Sequence, residues 1–196
     1  MHSPRRMALP IVLLVSAATA LVAGRWHLLP KRFAVVVPGR VYRGGEQQRW
    51  PYRWILDEYD IKTIVNLNFP SSDEAWDELE AAEARKRGIE RVGLAMSGDG
   101  VVPFEKLEEA AAILADPRRQ PVFVHCSAGV QRTNAVCAVY RLKYCGWSLE
   151  ETLAECERYW LSRDSNPELF AHLERYAEKL RSGRMRPQPS ATQPGR

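Results

Sequence analysis

The chain is poor in the residues that build cross-linked or metal-held scaffolds. Its four cysteines stand at 126, 137, 145 and 156, and no two form a CxxC pair. The four histidines add no ligand spacing to them, which argues against a structural metal module. A disulfide framework belongs to small secreted domains, whereas 196 residues with 45% hydrophobic content can bury a sizeable core. Acidic residues are missing from both ends: residues 1–32 and 181–196 hold nine Lys or Arg and no Asp or Glu. The net charge of +4 therefore belongs to the ends, and the segment 33–180 is net acidic. A nucleic-acid module carries its basic patch on the folded domain, so that partner class is set aside. No internal repeat is visible.

What the chain does have begins with an apolar run. From Met7 to Gly24 eighteen residues carry no charge, behind Arg5 and Arg6. That length is the lower edge of a bilayer-spanning helix. Arg25, Lys31 and Arg32 follow it, and Trp26 stands where an interfacial aromatic would lie, so the run reads as an uncleaved membrane anchor. The alternatives are a signal peptide cleaved after Ala18-Thr19-Ala20, with export, and a soluble N-terminal helix. Two basic side chains precede the run, while Arg25, Lys31, Arg32, Arg40 and Arg43 follow it, an asymmetry that favours keeping the C-terminal domain in the cytoplasm. Residues 1–32 thus form an anchor or signal segment and 33–180 one folded domain. The tail 181–196, rich in Pro, Gly and Ser, is expected to be disordered.

Within 33–180 short β-rich runs alternate with helical stretches. FAVVV and RVYR, separated by Pro38-Gly39, read as two strands and a turn; 63–68, 90–95 and 121–126 read as interior strands. Helices are expected over 47–59, 73–87 and 103–115, then from the loop at 126–132 to about Cys145. Ser148-Leu-Glu-Glu151 offers a capping box for a helix to about Leu161, and Asn166-Pro167 opens a last one to about Lys179. Strands followed by helices imply parallel crossovers. The expected fold is α/β, a mostly parallel sheet of four to five strands with helices on both faces.

The chemistry concentrates in VHCSAGVQRT, residues 124–133. A buried strand ends at His125-Cys126, and a helix starts between Gly129 and Arg132. Small residues let the intervening backbone curl so that its N–H groups line a concave anion site. The helix N-terminus adds free donors and the positive end of its dipole. Such a cradle, formed by Ser127, Ala128, Gly129, Val130 and Gln131, fits a tetrahedral oxyanion and favours a thiolate at Cys126. The Arg132 guanidinium can fold back and grip two phosphate oxygens. Thr133 puts a hydroxyl near the sulfur. His125 reads as a buried partner that holds the loop and tunes Cys126 rather than as a proton shuttle. Cys137, Cys145 and Cys156 read as small buried hydrophobes. Tyr140, Trp147, Tyr159 and Trp160 read as packing residues, and Arg43 and Glu46 as structural partners first, substrate contacts second.

His125-Cys126-Ser-Ala-Gly129-Val-Gln-Arg132-Thr133 matches the HCxxGxxR[ST] loop, and the chain resembles the cysteine-dependent protein tyrosine and dual-specificity phosphatases. VYRGGEQ…ILDEYDIKTIVNLN and AVYRLKYCGWSLEETLAE extend the likeness to small bacterial and fungal dual-specificity-type members, over roughly residues 35–162. The resemblance implies a phosphomonoesterase with a cysteinyl-phosphate intermediate, no metal and no cofactor. It also implies a general acid on a mobile loop ahead of the cysteine, which Asp99 in MSGDGVVP fits; the bland alternative is a turn aspartate. Two positions depart from the family pattern. Asn134 stands where relatives often have Gly, and Val130 and Gln131 stand where phosphoinositide-directed members often carry lysine. The expected substrate is accordingly a phosphoprotein or another monoester. Gln131 has a second reading as a residue that positions the attacking water. The rival functions are a rhodanese-type sulfurtransferase or arsenate reductase, and a non-catalytic phosphate-binding pseudophosphatase.

Overall fold

Runs of Val, Ile and Tyr are stiff at the side chain and pack well on a pleated surface. In the computed structural model five of them pair into one sheet. The structure describes residues 29–71 and 73–183, and beyond these only positions 14, 16, 19 and 24. The strands are β1 (Ala34–Val37), β2 (Val41–Gly45), β3 (Thr63–Asn66), β4 (Glu90–Gly93) and β5 (Val122–Cys126). The helices are α1 (Arg49–Glu58), α2 (Glu74–Arg87), α3 (Phe104–Ala115), α4 (Gln131–Tyr144), α5 (Leu149–Arg158) and α6 (Pro167–Arg181).

Across the sheet the order is β1-β2-β5-β3-β4. β2, β5, β3 and β4 are parallel, and β1 joins antiparallel at the edge through the turn at Gly39, where φ is 70°. Because side chains alternate along a strand, β5 serves both faces. Val122, Val124 and Cys126 pack on the side of α3, α4, α5 and α6, whereas Phe123 packs with α1 and its surroundings on the other. α4 runs through the larger cluster and is buried along most of its length. Ser148 and Glu151 form the expected capping box at the start of α5, and α2 ends at Gly88 in the left-handed conformation.

The parallel arrangement gathers strand C-terminal ends at one edge: Gly45 lies opposite Cys126 and Asn66 opposite His125. Loops leaving those ends make the crevice in which α/β sheets place their sites. Most of the apolar run 7–24 and the tail from 184 onward fall outside the described residues, and the expectations of an anchor or signal segment and of a disordered tail lie there. Among the described residues no helix is long and apolar enough to cross a membrane.

Candidate active site

Cys126 is the last residue of β5, and its side chain is 1% exposed. Its sulfur accepts two hydrogen bonds, from the Gly129 N–H and from the Thr133 hydroxyl, each at 3.2 Å. Donors aimed at sulfur stabilise negative charge on it. Thr133 is fully buried on the first turn of α4, so its hydroxyl is fixed beside the thiol by the same helix whose N-terminus faces the loop. Burial pushes Cys137 up to about 11 and Cys156 up to about 12, and raises Cys145.

Three successive carbonyls of the loop are engaged from outside. Ser127 O accepts from Lys31 Nζ at 2.8 Å, Ala128 O from Arg32 Nη1 at 2.8 Å, and Gly129 O from Arg43 Nη2 at 3.0 Å. The Glu46 N–H reaches Cys126 O at 3.0 Å and Ser127 O at 3.2 Å. In a planar trans peptide the next N–H points opposite the carbonyl, so the Ala128, Gly129 and Val130 amides turn inward. Gly129 makes the curl feasible: its φ is 73°, and a Cβ there would stand 2.5 Å from Gly45 N. Gly45 is confined less severely, since its Cβ would meet Ala128 O at 3.0 Å. Ser127 through Gln131 therefore form one rim over the end of β2.

Arg43 and Asn134 lock this rim to α4. The fully buried Arg43 donates from Nη1 to Asn134 Oδ1 at 2.6 Å, and its guanidinium stacks 4.5 Å from the centre of the Tyr159 ring. The Asn134 amide passes the link on to Tyr159 O at 3.0 Å. Asparagine at 134 thus has a physical reason: it accepts from a buried cation and donates to a loop carbonyl at once, which glycine cannot do.

Arg132 leans over the rim toward the end of β3. Its Nη1 donates to Asn68 Oδ1 and, at 3.4 Å, to Leu67 O, while its Nε is buried without a protein partner. The Asn68 amide in turn donates to Glu46 Oε1 at 2.9 Å. One edge of the guanidinium is held and a second donor is left for an anion, the fork geometry that suits phosphate. Asn68 was not singled out from the sequence. The available signal was a polar residue just past the C-terminal end of an interior strand.

Asp99 is exposed on a turn of which Gly100, at φ 76°, touches α4: a Cβ there would lie 3.1 Å from the Gln131 carbonyl. The turn thus rests against the start of the same helix. The carboxylate accepts from Ser97 Oγ at 2.5 Å and from the Val101 N–H at 3.0 Å. These two bonds, Ser97 first, hold its carboxyl below the usual range. It also borders a cleft of about 290 Å³ shared with Asn166, Pro167 and Glu168 at the start of α6.

His125 is fully buried, as expected, and its polar partner lies on α2. It is one residue before Cys126 and so faces the opposite side of the sheet. There its Nε2 lies 2.8 Å from Glu80 Oε2 of α2, both side chains fully buried, off the axis of a hydrogen bond. Its ring packs between Trp76 and Phe123. Glu80 also accepts from Asn66 Nδ2 at 3.0 Å and Arg91 Nε at 2.6 Å. Burial disfavours the Glu80 carboxylate, but His125 and Arg91 outweigh it, and the carboxyl lies below its ordinary value.

Residues 36–167 match the family model described as a DSP-PTPase phosphatase fused to NAD+ kinase. The chain is 28% identical over 140 residues to the inositol diphosphatase DSP4 of Arabidopsis thaliana, covering 69% of this chain and 67% of that one. It is 32% identical over 104 residues to the dual specificity protein phosphatase TpbA of Pseudomonas aeruginosa, covering 53% and 44%; the match thus spans less than half of that relative. The crystal structure of P. aeruginosa TpbA superposes with a TM-score of 0.63 at 22% identity over 78% of this chain and 90% of that one. The catalytic core of the Saccharomyces cerevisiae phosphatase SIW14 does so at 0.61 and 23%, over 79% and 95%. With that breadth of match and the HCxxGxxRT loop folded over β5, the chain belongs to the cysteine-dependent dual-specificity-type phosphatases.

Proposed function

We propose that the protein hydrolyses phosphomonoesters in two steps through Cys126. The observation that carries this is the sulfur at the floor of the rim, receiving the Gly129 N–H and the Thr133 hydroxyl. The thiolate attacks phosphorus and the S–P bond forms. The P–O ester bond breaks as Asp99, protonated, gives its proton to the departing oxygen. Water then attacks the cysteinyl phosphate, Asp99 takes its proton, and inorganic phosphate leaves with the thiolate restored and held by Thr133. Inward amides and the free edge of Arg132 oppose the charge on the transferring group. No step calls on a metal or organic cofactor, and a chelator is expected to leave turnover unchanged.

The substrate side is read from charge. Lys31, Arg32 and Arg43 donate to loop carbonyls, and Glu46 and Asp99 are the acids beside the loop. Val130 is buried and Gln131 uncharged. A rim of this kind favours a singly phosphorylated group on a protein or small molecule over a polyphosphorylated ring. The Arabidopsis relative named above is called an inositol diphosphatase and the Pseudomonas one a protein phosphatase. A panel of phosphotyrosine and phosphothreonine peptides against inositol polyphosphates tests the choice; faster turnover of the inositides would reverse it. We further propose that the run 7–24 anchors the chain in a membrane with the catalytic domain on the cytoplasmic side. Release of the full chain from membranes by alkaline carbonate would contradict that.

A further inference from the structure

Residues 31–33, just before β1, are bound to the catalytic loop more tightly than a linker requires. The Lys31 backbone is bracketed by the buried Gln47 side chain: its N–H donates to Gln47 Oε1 at 2.6 Å, and its carbonyl accepts from Gln47 Nε2 at 2.8 Å. The same carbonyl accepts from the Gly45 N–H at 3.0 Å. Gly45 is the residue against which Gly129 closes. Arg32 takes φ of 48°, a left-handed conformation uncommon outside glycine, and from there reaches Ala128 O, as Lys31 reaches Ser127 O. Phe33 closes the strap by packing with Tyr42, Trp54, Tyr59 and Phe123.

Two successive cations donate to two successive carbonyls, and at Ser127 O Lys31 shares the acceptor with the Glu46 N–H. They fix the direction of the 127–128 and 128–129 peptide planes, and with it the inward aim of the Ala128 and Gly129 amides. Side chains spent in this way do not attract solvent anions. We infer that Lys31 and Arg32 are positioning residues of the phosphate cradle, acting through the loop backbone without touching substrate. This rests on the phosphatase reading of the loop. It makes residues 31–33, a short way past the apolar run 7–24, part of the site's architecture.

The test uses the full chain with Lys31→Met, Arg32→Met and the conservative Lys31→Arg. The readouts are alkylation of Cys126 by iodoacetamide at mildly acidic pH, vanadate inhibition, kcat and KM for an aryl phosphate, and thermal melting. The other thiols, all raised by burial, are expected to stay silent at that pH. Each Met variant is expected to melt near the parent, to alkylate and turn over roughly 3- to 10-fold more slowly, and to bind vanadate more weakly by a similar factor. Lys31→Arg is expected to restore all three. Met variants that alkylate, bind vanadate and turn over like the parent would overturn the inference. So would slowed turnover with alkylation unchanged, which would mean that the cations contact substrate instead. A parent chain with no turnover and no selective alkylation would instead sink the phosphatase reading itself.

Discussion

The sulfur of Cys126, the hydroxyl of Thr133 and the carboxylate of Asp99 each face one demand of the proposed cycle, and each yields its own test. Cys126→Ser is expected to abolish turnover while leaving the fold intact, because serine keeps the size and loses the anion. Thr133→Val removes a donor that matters most when sulfur departs. An initial burst should remain, and the steady rate should fall about 10- to 100-fold, as loss of a hydrogen bond to a charged group implies. For Asp99 the sign follows from its partners. The first step needs the protonated acid, and the Ser97 hydroxyl and the Val101 amide hold the carboxyl low. The alkaline limb of kcat/KM for a poor leaving group should therefore lie at acidic pH. Ser97→Ala should move that limb upward, and Asp99→Asn should erase it and cost roughly 10²- to 10⁴-fold.

At the scale of elements, the catalytic loop stands on a sheet whose far face is tied by Glu80. That carboxylate on α2 joins β5 through His125, β4 through Arg91 and β3 through Asn66. Removing one member of a buried pair strands the others, so Glu80→Ala should cost about 3–5 kcal/mol in urea unfolding. Its depressed folded value sets the pH sign: the stability it adds is present above the ordinary carboxylate value and is lost as pH falls through the folded one. The elements themselves were legible because each signal is local: β-branched runs for strands, Ser148 with Glu151 for the start of α5, Pro38-Gly39 for the hairpin. The loop was legible for the same reason, since Cys126, Gly129 and Arg132 sit within seven residues. Lys31, Arg32 and Asn68 were not, because their partners lie 64 to 96 positions away along the chain. The partner of His125 was not legible either, because Glu80 lies on a helix distant in the chain and adjacency to Cys126 in sequence is opposition across the sheet.

For the molecule as a whole, the net acidic domain between basic ends is consistent with a site that concentrates cations inward and shows acids at its rim. Arg43 is buried beneath the loop, Lys31 and Arg32 are bonded to it, and Arg132 is tethered by Asn68, which Glu46 holds in turn. With Lys31, Arg32 and Arg43 spent on the loop carbonyls, the inward amides and Arg132 are left to face one oxyanion-sized volume, which is why a single phosphoryl group is the expected ligand. The most direct measurement is acid quench during turnover of an aryl phosphate by the full chain, followed by mass spectrometry of the Cys126 peptide. The account expects one phosphoryl group on that cysteine, accumulating further in Thr133→Val. Sustained hydrolysis with no adduct on Cys126, or turnover surviving in Cys126→Ser, would contradict it.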